Sequence, residues 1–222
     1  QFNSAVTDIF RNEYLSPRSP YTTLQIPKQG IGEWCHPLHT VDIDDSGLRS
    51  SVQKGVLNTK LGVPFRTPAE GQNIAFTSLW DNYPDSLTVS LKGKASRVYL
   101  LMAGSTNHMQ CHIDNGLIRV YYKDGTCDKM ALRNPDNWAP IEHIFFEDGL
   151  AFNRHAPVLY RLRLKTGEIS NNFGEELGFP GASRELDGGA AILLEMPLNP
   201  DKKLSHLVLE TLSNDVVIGL MG

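Results

Sequence analysis

From Leu87 onward, apolar and polar side chains alternate along the chain. Leu87, Val89 and Leu91 are separated by Thr88 and Ser90, and Ile118, Val120 and Tyr122 by Arg119 and Tyr121. Val158, Tyr160, Leu162 and Leu164 flank Arg161 and Arg163 in the same way. Successive side chains of a strand point to opposite faces, so this period of two predicts strands with one buried face. Residues 98–103 are apolar on both faces, which predicts a central strand covered on two sides. Asp124-Gly125 predicts a tight turn, with residues 129–132 returning as the hairpin partner. Asn115-Gly116 is read as a further turn signal. Residues 190–196, 206–212 and 215–221 add three more strands. Residues 168–189, rich in Gly, Asn and Glu, read as a long loop.

Residues 1–85 are irregular, with many Pro, Ser, Asn and Gly between short apolar pieces. Strands are expected at 22–26, 40–43 and 74–79. Val6, Ile9 and Phe10 recur at helical spacing, so 6–14 is either a short helix or an extended arm against the sheet. Long helical periodicity is absent. Many short strands, each with a face to bury, predict an all-β fold: a two-sheet antiparallel β-sandwich of the jelly-roll kind. Residues 1–222 are expected to form one domain, with 1–85 wrapping along the main strands of 86–222.

Composition narrows the partners. Of 222 residues, 41% are hydrophobic, enough for a core without covalent staples. The formal charge of −4, with no basic run, argues against nucleic acid and against an anionic membrane. No apolar stretch has the length of a membrane span, which argues against membrane insertion. Cys35, Cys111 and Cys127 are too few and too odd for a disulfide framework, though one bridge and one free thiol are compatible with the count. The start at Gln1 and the stop just after an apolar run both read as cuts, so a fragment of a longer protein, or a chain without its leader, is expected.

The densest chemistry lies at Trp80-Asp81-Asn82-Tyr83-Pro84-Asp85, a turn just before the alternating pattern begins. Aromatic faces receive the C–H surface of a sugar ring, and amide and carboxylate edges bond its hydroxyls. Trp80 and Tyr83 would supply stacking area; Asp81, Asn82 and Asn107 would fix hydroxyl geometry. Trp138, also among turn residues, joins them as a carbohydrate-binding candidate. The alternative for the tryptophans is a place at the end of the core, with the indole N–H bonded to a loop carbonyl.

Asp44 and Asp45, in Asp42-Ile43-Asp44-Asp45-Ser46-Gly47, are the candidate ligands for a structural calcium; the alternative is that they accept turn amides. His36 and His39 flank Pro37, which excludes a helix interior and weakens a zinc reading. His108 and His112 are four apart but flank an expected turn. No nucleophile elbow and no phosphate-binding glycine loop is present. Asp81, Asp85, Glu142 and Asp148 have the residue type for glycoside hydrolysis, but no spacing brings two of them together.

Residues 9–21, 29–34, 44–49, 80–84, 101–110 and 214–221 together resemble an uncharacterised domain of large bacterial polysaccharide-degrading proteins, notably glycoside hydrolases. The resemblance covers nearly the whole chain and marks a family rather than a chemistry. It implies a galactose-binding-like β-sandwich joined to a catalytic glycosidase domain of the same chain, in a periplasmic or extracellular, cell-surface setting. It supplies no ligand or catalytic residues. The leading expectation is therefore a non-catalytic accessory module that binds a polysaccharide or oligosaccharide, or orients the catalytic domain. Its rivals are a purely structural interdomain module and a glycosidase site contributed wholly or partly by this domain.

Overall fold

The computed structural model describes residues 2–10, 43–79, 83–106, 110–142, 153–173, 186–214 and 216–222. In chain order its elements are α1 (Val6–Ile9), α2 (Ser46–Ser51), β1 (Val52–Gln53), β2 (Val56–Asn58), β3 (Pro64–Arg66), β4 (Ala75–Ser78), β5 (Ser86–Ser90), β6 (Arg97–Ser105), β7 (Asp114–Tyr122), β8 (Cys127–Arg133), β9 (Arg161–Arg163), β10 (Ile169–Ser170), β11 (Ala190–Pro197), β12 (Leu204–Thr211) and β13 (Val217–Leu220). The described strands form three antiparallel sheets, ordered β10-β9-β11-β6-β13-β4, β5-β12-β7-β8 and β1-β2-β3. The fold is an all-β sandwich.

The alternation read from the sequence is what packs it. Leu100, Met102, Ile192, Leu194 and Ile218 of the six-stranded sheet meet Ile118, Val120, Leu132, Leu207 and Leu209 of the four-stranded sheet. Their neighbours Leu101, Ala103, Leu162, Ala191 and Val217 point the other way, into a second cluster with Val6, Ile9, Phe10, Leu48, Leu57 and Phe65. β6 is thus covered on both faces over its latter half, as its apolar run predicted. Each fully buried Leu, Ile or Val contributes roughly 1.5–3 kcal/mol. The described parts of residues 1–85 form the layer that closes the second cluster.

The hairpin at Asp124-Gly125 is present: β7 pairs β8 down to Tyr121↔Cys127, and Gly125 takes a φ of +85°. Asn115-Gly116 is not a turn. It lies inside β7, where the register slips between Asp114 and Gly116. Asn115 is buried, and its side chain ties the preceding loop down: it accepts from the Thr106 hydroxyl at 2.6 Å and donates to the carbonyls of Gln110 and Ile113 at 3.0 and 3.2 Å. A Cβ on Gly116 would run into Ile218 and the Glu210 carbonyl. Close approach, not a chain reversal, is what this glycine provides.

The helix expected over 6–14 is one turn, Val6–Ile9, with residues from 11 outside the described part. The strand expected at 22–26 and most of that at 40–43 also lie outside it. The sheet β1-β2-β3 and α2 were not foreseen. The β1–β2 turn is Lys54-Gly55, both with positive φ (52° and 76°), which is the backbone of a two-residue hairpin. Lysine at the first position hides that signal. Cys127 is a free thiol, and Cys35 lies outside the described residues. No helix among the described residues is long and apolar enough to cross a membrane.

Candidate functional site at one end of the sandwich

Register brings several loops to one end of the molecule. Val217 sits between Ser78 of β4 and Ser105 of β6, so the segments after β4 and after β6 leave from neighbouring strand ends. Asp114 opens β7 opposite Arg133, where β8 closes, and Gly116 faces Thr211 at the end of β12. Hydrogen bonds cross between these ends. The Thr77 and Thr211 hydroxyls are 2.6 Å apart, Thr211 N–H donates to Asp85 O at 2.9 Å, and Gln110 Nε2 donates to Asn214 O at 2.6 Å.

Trp80, Asp81, Asn82 and Asn107 fall outside the described residues. Their described neighbours, Leu79, Tyr83 and Thr106, lie at this end. Tyr83 is half-buried and packs edge-on against Phe76, ring centroids 5.1 Å apart, above the second core cluster. Trp138 does not present a face to solvent. It is fully buried in the inter-sheet core, with its benzo edge over Gly104, where a Cβ would collide with it. Burial at the end of the core was the alternative reading, but the expected loop carbonyl is missing: Nε1 has no partner among the described residues. As a carbohydrate-binding residue Trp138 is therefore corrected, because the ring that a sugar would need is spent on core packing.

Asp44 and Asp45 behave as turn acids. Asp44 Oδ1 accepts the Ser46 N–H at 2.9 Å, and the Ser46 hydroxyl first, then this N–H and Lys165, hold its carboxyl below the usual range. Asp45, buried, accepts from Arg49 Nε at 2.9 Å and Asn73 Nδ2 at 2.7 Å. A carboxylate already neutralised by an arginine is a poor calcium ligand. Of the carboxylates considered for hydrolysis, Asp81 and Asp148 lie outside the described residues and Asp85 is exposed. Glu142 is buried in the field of Arg161, whose guanidinium donates to the carbonyls of Pro140, Ile141 and Ala190. An open depression of about 220 Å³ beside Leu57, Leu162 and Ile169 is lined by one carboxylate, Glu168, where glycoside hydrolysis needs two.

A group that the sequence did not disclose lies at the same end. His112, Asp136 and His155 bring one ligand atom each to within 4.8 Å of one another. Their loops are held by main-chain bonds. His112 takes a left-handed φ of +54° and donates its N–H to Asn134 O at 2.8 Å, while Asp136 Oδ1 accepts the His155 N–H at 2.7 Å. The two imidazoles stack with centroids 4.7 Å apart and planes 28° from parallel. His112 Nδ1 lies 4.0 Å from Asp136 Oδ2. Arg154 is pushed below its ordinary value by burial, with Asp136 opposing the shift. Only His112 was singled out from the sequence, and it was paired there with His108. The turn run Asn134-Pro135-Asp136-Asn137 was the available hint for Asp136. Nothing local pointed to His155.

No family model, curated protein or solved structure matches the chain.

Proposed function

We propose that the chain is a non-catalytic accessory module of a bacterial glycoside hydrolase, of the galactose-binding-like kind, and that the loop-bearing end of the sandwich contacts glycan. The observation that carries this reading is the row Ser78–Val217–Ser105. It starts the segment that leads to Trp80, Asp81 and Asn82 and the one that leads to Asn107 on either side of a single strand, β13, which supports a shared surface for the two. Tyr83, fixed against Phe76, anchors the return of the first segment rather than stacking on a ligand. The bound glycan would be a polysaccharide or oligosaccharide met in the periplasm or outside the cell, and its site would be shallow and wet, giving modest affinity. The test is a panel of plant and host glycans offered to the purified chain, with Trp80→Ala in parallel. Binding that is abolished in the variant is the expected result, and binding that persists in it removes the site.

A second reading, a structural interdomain module, is favoured by a different surface. Beyond the second core cluster, none of the described elements is seen to cover the outer face of the six-stranded sheet. There Tyr99 stands opposite Glu195, and Leu193 bonds the main chain of Tyr160. Tyr99 and Tyr160 are about two-fifths exposed (39% and 40%), and Val158 is about half exposed (48%). A catalytic neighbour of the same chain packed on this strip would bury it. Silence across the glycan panel supports this reading over the first.

A further inference from the structure

We infer that His112, Asp136 and His155 form a binding site for one divalent transition-metal ion of the zinc class. Two imidazole nitrogens and a carboxylate oxygen are the donor set such ions take, with a fourth position left to water or another ligand. Hard cations such as calcium prefer all-oxygen sites, which this is not. Bonds of 2.0–2.2 Å at tetrahedral angles place donor atoms roughly 3.3 Å apart. Here they lie within 4.8 Å, with the one measured pair at 4.0 Å. Closing the set needs movements of about an ångström, within reach of side-chain rotation at the exposed His155.

Three features of the surroundings bear on the site. The Asp136 carboxylate is already oriented, since its other oxygen holds the His155 main chain; outer contacts of this kind fix a ligand before the metal arrives. The left-handed backbone at His112 turns its ring onto that of His155, a conformation that an ordinary side chain adopts at a cost. Against these, Arg154 and Arg133 bring positive charge toward Asp136, although Arg133 is paired with Asp114 at 2.5 Å. The arginines lower the affinity below that of a thiolate-rich site, and the donors still outnumber them. Imidazole ligates only when deprotonated, so binding weakens in acid. A bound ion would tie together loops 110–113, 134–137 and 153–155, which no covalent bond joins.

The experiment is calorimetric titration of the tag-free, reduced chain with zinc chloride near neutral pH. The variants are His155→Ala, His112→Asn (asparagine tolerates the left-handed backbone), a remote His206→Ala, and Cys111→Ser with Cys127→Ser. One zinc per chain is expected, weakened more than about tenfold in the first two variants and unchanged in the rest. Unfolding midpoints in the presence of a chelator report whether each variant is folded, and His155→Ala, altering an exposed side chain, keeps the test decisive. Absence of binding by the native chain overturns the site. So does binding that survives both histidine substitutions, or that disappears with the thiols.

Discussion

Replacing Arg161 by methionine tests how charge is handled inside this sandwich. The guanidinium lies in the interior, and burial pulls its pKa down to about 10, with Glu142 opposing the shift. It stays charged at neutral pH because it donates to three main-chain carbonyls, those of Pro140 at 2.8 Å, Ala190 at 3.0 Å and Ile141 at 3.3 Å. Methionine keeps most of the stem's apolar volume and removes every donor. Each charge-assisted bond contributes about 1.5–3 kcal/mol, and the three do not add. The variant also withdraws a favourable charge from the surroundings of the buried Glu142, and with the lost hydrogen bonds the total comes to about 3–5 kcal/mol. We expect a loss in that range by urea denaturation, or a midpoint lowered by roughly 10 °C in a chain of this length. The double variant Arg161→Met with Glu142→Leu removes the buried carboxylate as well and should recover part of the loss. A single-variant loss below about 1 kcal/mol, or a double variant worse than the single, would refute the reasoning.

Two further outcomes follow from packing and charge. Gly104→Ala drives a methyl into the Trp138 ring and the Val217 carbonyl. Overpacking of this kind costs about 1–3 kcal/mol, and because phenylalanine lacks the colliding benzo edge, the same substitution should cost less in a Trp138→Phe background; equal losses in both backgrounds would disprove the contact. Asp124 is held at about 2 by the Thr126 hydroxyl first, then by Lys202 and the Thr126 N–H. Its folded-state value lies below its unfolded one, so the stability it adds is present above about pH 4 and lost as pH falls toward 2. Denaturation midpoints measured across that window should fall more steeply for the native chain than for Asp124→Asn, and parallel curves would exclude the effect.

The period-two pattern was enough to read the main strands, because each had a face to bury and the face showed in the spelling: Ile118, Val120 and Tyr122 inward, Arg119 and Tyr121 outward. It was also enough for the doubly covered β6. What escaped depended on neighbours far along the chain. Arg161 alternates like a solvent-facing residue, yet β9 turns it toward the carbonyls of 140, 141 and 190. Asn115-Gly116 has turn composition, but Ile218 and Glu210 press against Gly116 and keep the pair inside a strand. Trp138 sits among loop residues and still fills the core, since Gly104 leaves room for it. The His112, Asp136 and His155 group draws on three separate loops, and only the register of β7 against β8 and the folding-back of 153–155 unite them. For the segments after β4 and β6, the residue types were legible in the sequence, and only the strand order sets the two starting points on either side of β13.

The outermost strand of the six-stranded sheet has a consequence for modularity. β4 comes from the irregular first third, yet it pairs along β13, the last strand of the chain. A shorter module beginning at residue 86 would keep the alternating strands but leave β13 with an open hydrogen-bonding rim and a greasy face stripped of Val6, Phe10, Leu48 and Phe65. Such a rim invites other chains to add themselves as strands. The inheritable unit of this architecture therefore includes its least regular stretch, and any transfer of the module has to carry head and tail together.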